Sequence, residues 1–107
     1  MFELIVYQQD RGQRPFDKWF AGLRDKRAQS RIIQRLGQVQ AGNLGDYKPV
    51  GEGVLELRID VGAGYRIYCA RHGEVLVILL CGGDKASQAK DIERAKGFWA
   101  DWKRRDR

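Results

Sequence analysis

The 107-residue sequence has little that could hold a metal ion or form a disulfide. It contains two cysteines, Cys69 and Cys81, without a CxxC spacing, and one histidine, His72, so no common zinc-binding set can be assembled. Both cysteines fall at core-type positions of predicted strands, and we expect them to be free thiols in a reducing compartment. The sequence therefore predicts no metal site and no cofactor.

Long apolar stretches and common enzyme signatures are also missing. The longest wholly apolar run covers residues 75–81, far below the ~20 residues that span a bilayer. Neither a signal peptide nor a nucleotide-binding glycine fingerprint is recognisable, and no serine has a histidine and an acid in a catalytic setting. We predict a cytoplasmic protein without a membrane partner.

Positive charge is what the sequence has in excess. Twenty lysines and arginines oppose 14 aspartates and glutamates, which gives a formal net charge of +6. This excess favours a polyanionic partner such as RNA or DNA, or an acidic protein, although a basic protein with a solvated surface is the alternative. A hydrophobic content of 43% is typical of a folded globule, and the length predicts one domain over residues 1–107.

The stretch 53–88 predicts three consecutive strands joined by tight turns. Residues 54–61 alternate strictly, as in a strand with one buried and one wet face, and the charged residues are expected on the wet face: Glu56, Arg58 and Asp60. Residues 75–81 are apolar on both faces, which is typical of a strand covered on both sides. Arg58 and Arg66 are then expected on one solvent-facing surface, as direct or diagonal cross-strand neighbours.

The N-terminal part predicts a strand followed by two helices. Residues 2–7 form the strand, and a helix opening at Pro15 puts four apolar side chains on one face, which we expect to pack as core: Phe16, Trp19, Phe20 and Leu23. A second helix, residues 26–40, is predicted to expose a basic stripe of Lys26, Arg27, Arg31 and Arg35. The stripe is either a solvated surface or a contact for phosphates or an acidic partner.

Two further segments complete the expected order. Residues 44–52, which carry Lys48, are predicted to be a connecting loop because Pro49 and the neighbouring glycines oppose regular structure. Asp84 is predicted to cap a last helix, whose basic tail, residues 103–107, is expected to fray. The order β-α-α-β-β-β-α predicts an α+β fold, with an antiparallel meander packed against an N-terminal helical hairpin and a C-terminal helix.

Four short motifs stand out in and after the predicted meander: Leu55-Glu56-Leu57-Arg58, Gly64-Tyr65-Arg66-Ile67-Tyr68, Gly83-Asp84-Lys85 with Gln88, and Asp91-Ile92 with Ala95. Together they resemble the RelE/ParE superfamily of bacterial type II toxins. The resemblance is closer to its HigB-like branch, the phage-derived Gp49-like or addiction-module killer proteins. The RelE-like element order and the length agree over nearly the whole chain.

The resemblance implies a small toxin that a cognate antitoxin neutralises. RelE-like and HigB-like members cut mRNA, usually on the ribosome, whereas ParE-like members poison DNA gyrase. We therefore expect an endoribonuclease (an mRNA interferase) that uses no metal and acts on mRNA at the ribosome. The alternatives are a non-catalytic gyrase poison and an inactive relic that binds only its antitoxin.

Candidate site residues follow from the chemistry of RNA cleavage by the ribose 2′-OH. The reaction needs a proton acceptor, stabilisation of the charged phosphorane and a proton donor to the leaving 5′-oxygen. We predict Arg58 and Arg66 as forked phosphate ligands and Lys85 as the third catalytic group. The residues predicted to bind RNA are Lys48, Tyr65, Tyr68, Arg31 and Arg35. His72 is the obvious base by side chain, but it lies in a predicted turn.

Overall fold

The computed structural model describes residues 1–105, which form five strands and three helices. In chain order these are β1 (Glu3–Val6), α1 (Pro15–Ala21), α2 (Lys26–Gln40), β2 (Tyr47–Gly51), β3 (Val54–Ile59), β4 (Tyr65–His72), β5 (Leu76–Gly83) and α3 (Gln88–Arg105). The predicted α+β class is confirmed, and the element order differs from the prediction by one additional strand, β2.

The strands form one mixed sheet in the order β1-β5-β4-β3-β2. From β2 to β5 each strand pairs antiparallel with the next, as a meander does. β1 pairs parallel with β5, a pairing that requires a crossover connection, and the chain between these two strands runs through α1, α2 and the other three strands. The predicted meander is therefore present, but it forms part of a mixed sheet rather than a purely antiparallel one.

The expectation of a loop over residues 44–52 is wrong, because β2 occupies most of this segment. Pro49 is paired with Leu55 of β3, and the register shifts between Pro49 and Gly51. A proline removes one ladder donor, which a strand at the edge of a sheet tolerates and a central strand does not. β2 is such an edge strand, and its cross-strand register puts Lys48 directly opposite Glu56.

Both faces of the sheet are covered, one by α1 and α2 and the other by α3. The core under α1 and α2 contains Phe16, Ile32, Leu57 and Ile67, and the core under α3 contains Tyr68, Ala70, Ala95 and Trp99. The wet face expected for β3 is therefore wrong at Glu56, whose side chain is fully buried. Alternation separates the two faces of a strand, but it does not report whether a helix covers the polar face.

α3 begins and ends differently from the prediction. Asp84 is not its N-cap, because the chain first makes a turn in which the Asp84 carboxylate accepts a hydrogen bond from the Ser87 amide at 3.2 Å, and the helix begins at Gln88. At the other end, Arg104 and Arg105 are helical and pair with Asp101 at 2.6 and 2.7 Å. Fraying is therefore wrong for residues 103–105, while residues 106–107 lie outside the described residues.

The C-terminal end of α3 also contacts the residue that follows β1. The Tyr7 hydroxyl donates to Asp101 at 2.5 Å, and burial together with this carboxylate raises the pKa of Tyr7 to about 12.

Within residues 1–105, no helix is both long and apolar enough to cross a membrane.

Two consecutive glycines at the end of β5 let side chains approach the sheet closely. A Cβ at Gly82 would lie 2.2 Å from the Trp19 ring, and a Cβ at Gly83 would lie within bonding range of the Asp91 carboxylate. These glycines therefore allow Trp19 of α1 and Asp91 of α3 to pack directly on the strand, and the aromatic residues of α1 are core as predicted.

Replacing Gly82 with alanine is expected to lower the free energy of unfolding by about 1–3 kcal/mol, because the new methyl group would overlap the Trp19 indole. Urea unfolding followed by tryptophan fluorescence measures the change. Gly97→Ala is the matched control, since a Cβ at this helical glycine meets nothing within 4 Å, and it is expected to leave stability unchanged or raise it by up to ~1 kcal/mol. Equal stability of Gly82→Ala and the wild type would contradict the close packing.

Candidate active site

Two arginines are paired across β3 and β4, next to the turn that joins these strands. The register of β3 and β4 pairs Arg58 directly with Arg66, which settles the choice between direct and diagonal neighbours. Both line a cleft of about 280 Å³ together with Tyr65, Gly64, Ile59, Asp46 and Asp60. The cleft therefore presents two forked cations, two carboxylates and one aromatic ring.

A buried carboxylate lies between the two arginines. Glu56 Oε1 is 3.7 Å from Arg58 Nε, and Oε2 is 3.6 Å from Arg66 Nε. Like charges directly opposite each other destabilise a strand pair, and this carboxylate offsets their repulsion. Glu56 is 0% exposed, so it touches no bound molecule itself and acts by holding the two guanidinium groups in place.

Glu56 is in turn fixed by β4 and by the start of α3. The Tyr68 hydroxyl donates to Oε2 at 3.0 Å, and the Gln88 side-chain amide donates to the same oxygen at 2.9 Å. Neither Glu56 nor Gln88 was predicted to be part of the site. The available signal was the placement of Glu56 on the same strand face as Arg58 and, given the register, opposite Tyr68.

Arg66 is held more firmly than Arg58. Its Nη1 donates to the Gly64 carbonyl at 2.6 Å, and only 14% of its side chain is exposed. Gly64 has a φ of +75°, which a residue with a side chain rarely adopts, so the turn between β3 and β4 forms this anchor at a glycine. Arg58 leaves 43% of its side chain exposed. The Arg66 guanidinium thus has the additional anchor, and the Arg58 guanidinium is the more exposed of the two.

The two tyrosines of the site have different environments. Tyr65 is half-buried, lines the cleft and meets the Trp19 ring edge-on at 6.3 Å between centroids. Tyr68 is fully buried, and burial together with the neighbouring Glu56 raises the pKa of its hydroxyl. Tyr65 therefore offers surface to a base, whereas Tyr68 has no exposed ring on which a base could stack.

Both lysines considered for the site lie close to the arginine pair. The backbone amide of Lys85 donates to the Ala63 carbonyl at 3.4 Å, which holds this exposed residue against the β3–β4 turn, next to Gly64. Lys48 is exposed on β2, and as the cross-strand partner of Glu56 it shares the strand face of the arginines. Both lysines thus lie beside the cleft, although neither lines it.

The two α2 arginines are not equivalent. Arg31 is exposed, whereas Arg35 is only 8% exposed and its pKa is lowered by burial. Arg35 Nε donates to the Arg58 carbonyl at 3.2 Å, and Nη2 donates to the Asp46 carbonyl at 2.7 Å. The exposed basic stripe predicted for α2 is therefore wrong at Arg35. This side chain connects the helix to β3 and to the residue just before β2.

His72 and the two cysteines lie away from the cleft that holds the arginine pair. His72 is at the opposite end of β4 from Arg66, about 20 Å along the strand at ~3.3 Å per residue, and its ring meets Trp102 edge-on at 4.8 Å. Cys69 and Cys81 are buried free thiols, and burial raises the pKa of each to about 12. Across residues 1–105, no three His, Cys, Asp or Glu side chains are grouped so as to hold a metal ion.

Comparison with known proteins gives two matches that include this site. Residues 18–97 match the family described as "Phage derived protein Gp49-like (DUF891)". A protein of Haemophilus influenzae (strain ATCC 51907 / DSM 11121 / KW20 / Rd), described as an uncharacterized protein, is 53% identical over 81 residues, which are 76% of this chain and 82% of that protein. The matched range 18–97 contains the arginine pair, Glu56 and both lysines.

Proposed function

The chain belongs to the phage-derived Gp49-like family, a toxin and addiction-module family related to RelE, and on that basis we propose that it is an endoribonuclease toxin that cuts mRNA. Family membership indicates a toxin–antitoxin context with an antitoxin as partner. We further propose that it belongs to the HigB-like branch and that it cuts mRNA on the ribosome. We also propose that it acts in the cytoplasm, because mRNA and ribosomes are found there.

The observation that carries this proposal is the direct pairing of Arg58 and Arg66 at one cleft. Two guanidinium groups offer forked N–H donors that match the oxygens of a phosphodiester. In the proposed reaction the ribose 2′-oxygen attacks the adjacent phosphorus while its proton passes to solvent water. The bond from phosphorus to the 5′-oxygen breaks, and that oxygen takes up a proton, which leaves a 2′,3′-cyclic phosphate and a 5′-hydroxyl.

Five residues in or beside the cleft have an assigned part in this reaction. Arg58 and Arg66 stabilise the negative charge that develops on the phosphorane. Lys85, exposed beside the arginine pair, protonates the leaving 5′-oxygen. Lys48 contributes positive charge for the RNA backbone, and Tyr65 stacks on a neighbouring base.

The test is cleavage of a 5′-labelled mRNA by the purified protein, with and without programmed 70S ribosomes, mapped at single-nucleotide resolution. We expect cuts only with ribosomes, with cyclic-phosphate ends, and at an unchanged rate when a zinc-selective chelator is added to pre-formed complexes. Cuts on naked RNA would retain the ribonuclease and remove ribosome dependence. An absence of cuts in both arms would contradict the proposal, and inhibition of DNA supercoiling would then identify a gyrase poison.

A further inference from the structure

A second cleft of about 250 Å³ lies between α2 and β3 and is lined by Arg31, Gln34, Arg35, Gln38, Asp46, Arg58, Ile59 and Asp60. The four α2 residues are spaced i, i+3, i+4 and i+7, so they form one continuous face of the helix. This face therefore presents two cations and two amide side chains along one wall of the cleft.

The second cleft adjoins the first at the end of β3. Both are lined by Arg58, Ile59, Asp46 and Asp60. Arg58 is thus at the junction of the two clefts, which together form a groove from the arginine pair around the end of β3 to α2. The hydrogen bond from Arg35 Nε to the Arg58 carbonyl fixes the helix at this junction, and Arg31 lies one helical turn further on, about 6 Å along the helix axis.

The α2 end of the groove carries a buried positive charge. Arg35 is held by two backbone carbonyls, its Nη1 is buried without a hydrogen-bond partner, and the charge of Asp46 acts on it although no carboxylate in residues 1–105 forms a close ion pair with it. The three arginines that line this cleft outnumber its two aspartates, so the cleft keeps a positive charge that favours an anion. Exposed Arg31 would contact that anion directly, since Arg35 is too deeply buried to do so.

The polar groups beside these cations suit an RNA strand. The amides of Gln34 and Gln38 can each donate and accept hydrogen bonds, as base edges require, and the Asp46 and Asp60 carboxylates accept from exocyclic amino groups. An acidic peptide would find cations here but would also meet these two carboxylates. Charge alone fits both ligands, and the mixture of cations, amides and carboxylates favours the nucleic acid.

We propose that this groove binds a single RNA strand over at least two consecutive phosphates. One phosphate contacts Arg58 and Arg66 from the cleft side, and a neighbouring phosphate contacts Arg31, with its base along Gln34 and Gln38. This inference rests on the proposed function and extends it, because it defines the substrate as an extended single strand that is bound beyond the bond to be cut.

The experiment is fluorescence anisotropy with 5′-fluorescein RNA of two to eight nucleotides, fully 2′-O-methylated so that no 2′-OH can attack. We expect affinity to rise with length until the groove is filled. Arg31→Ala is expected to weaken binding of the longer strands about tenfold and of the dinucleotide less than twofold. It is also expected to lower the slope of log Kobs against log salt by about 0.7, the value for one phosphate contact on a single strand.

Arg27→Ala is the matched control, because Arg27 is exposed one turn earlier on α2 and lines neither cleft. Equal RNA binding by the two variants would overturn the proposal. An Arg31→Ala variant that binds RNA normally and loses only antitoxin binding would also overturn it, because the groove would then bind a protein segment. If mRNA is cut normally by Arg31→Ala, the groove proposal fails and the ribonuclease stands. If no mRNA is cut but the length and salt effects are found, the groove stands and the ribonuclease fails.

Discussion

Replacing Arg66 with alanine is expected to lower the rate of mRNA cleavage by about 10²–10³-fold, the range seen when one preorganised donor to a developing charge is removed. Arg66 is the better fixed of the two arginines, held by the Gly64 carbonyl at 2.6 Å and by Glu56 at 3.6 Å. Expression of the variant alone should therefore no longer arrest growth. Single-turnover cleavage and growth after induction measure the two effects.

Two variants make the Arg66 result specific. Arg66→Lys keeps one positive charge but loses the fork, and is expected to recover only part of the rate. Arg71→Ala removes an arginine of the same strand whose guanidinium lies over the Phe2 ring, 4.9 Å from its centroid, and is expected to cleave at the wild-type rate. Antitoxin affinity of Arg66→Ala should remain within about tenfold, or about 1.4 kcal/mol. Full toxicity of Arg66→Ala would show that the site is elsewhere.

The sequence was sufficient wherever local pattern and local structure agree. The apolar face of α2 and its flanking residues predicted its exact bounds, Lys26–Gln40. Period-two alternation predicted β3 and β4, and therefore also the common face of Arg58 and Arg66. The register itself could not be predicted, because the turn around Gly64 could close the two strands in more than one alignment.

The errors have a common physical cause. A helix or strand that is distant in sequence can cover a side chain, and the local sequence pattern does not show this. Glu56 and Arg35 have the sequence context of exposed charges, yet both are buried. α3 covers Glu56, and the segment before β2 covers Arg35. Tyr68 shares the covered face with Glu56 and is buried with it. β2 was missed for a related reason, since whether a proline can be accommodated depends on whether its strand is at the sheet edge.

The covered charges connect the fold to the site. Gln88, the first residue of α3, donates to Glu56, and Glu56 contacts both arginines. At the opposite wall, Arg35 joins α2 to the Arg58 carbonyl. Each side of the sheet thus contributes one buried charged residue that fixes the arginine pair, so we expect the geometry of the cleft to depend on the interior more than on its exposed rim.

Removing the Glu56 carboxylate is therefore expected to have the largest effect on stability. Glu56→Ala leaves the Tyr68 hydroxyl and the Gln88 amide without their acceptor, and two guanidinium groups without their counter-charge. Loss of one partner from a buried pair costs about 3–5 kcal/mol. Urea unfolding measures it, with Glu93→Ala as control, because the exposed ion pair of Glu93 with Lys96 contributes less than ~1 kcal/mol.

Glu56→Gln separates stability from positioning. Glutamine keeps the volume and one acceptor oxygen, so this variant is expected to lose only about 1–3 kcal/mol and to fold. Without the negative charge Arg66 keeps only the Gly64 carbonyl as its anchor, while the cleft as a whole becomes more positive. We therefore expect kcat per folded molecule to fall by at least ~10-fold, against equal or tighter binding of 2′-O-methylated RNA. A wild-type kcat would show that Glu56 supports only the fold, because a carboxylate with no exposed surface can affect the reaction only through the arginines that it holds.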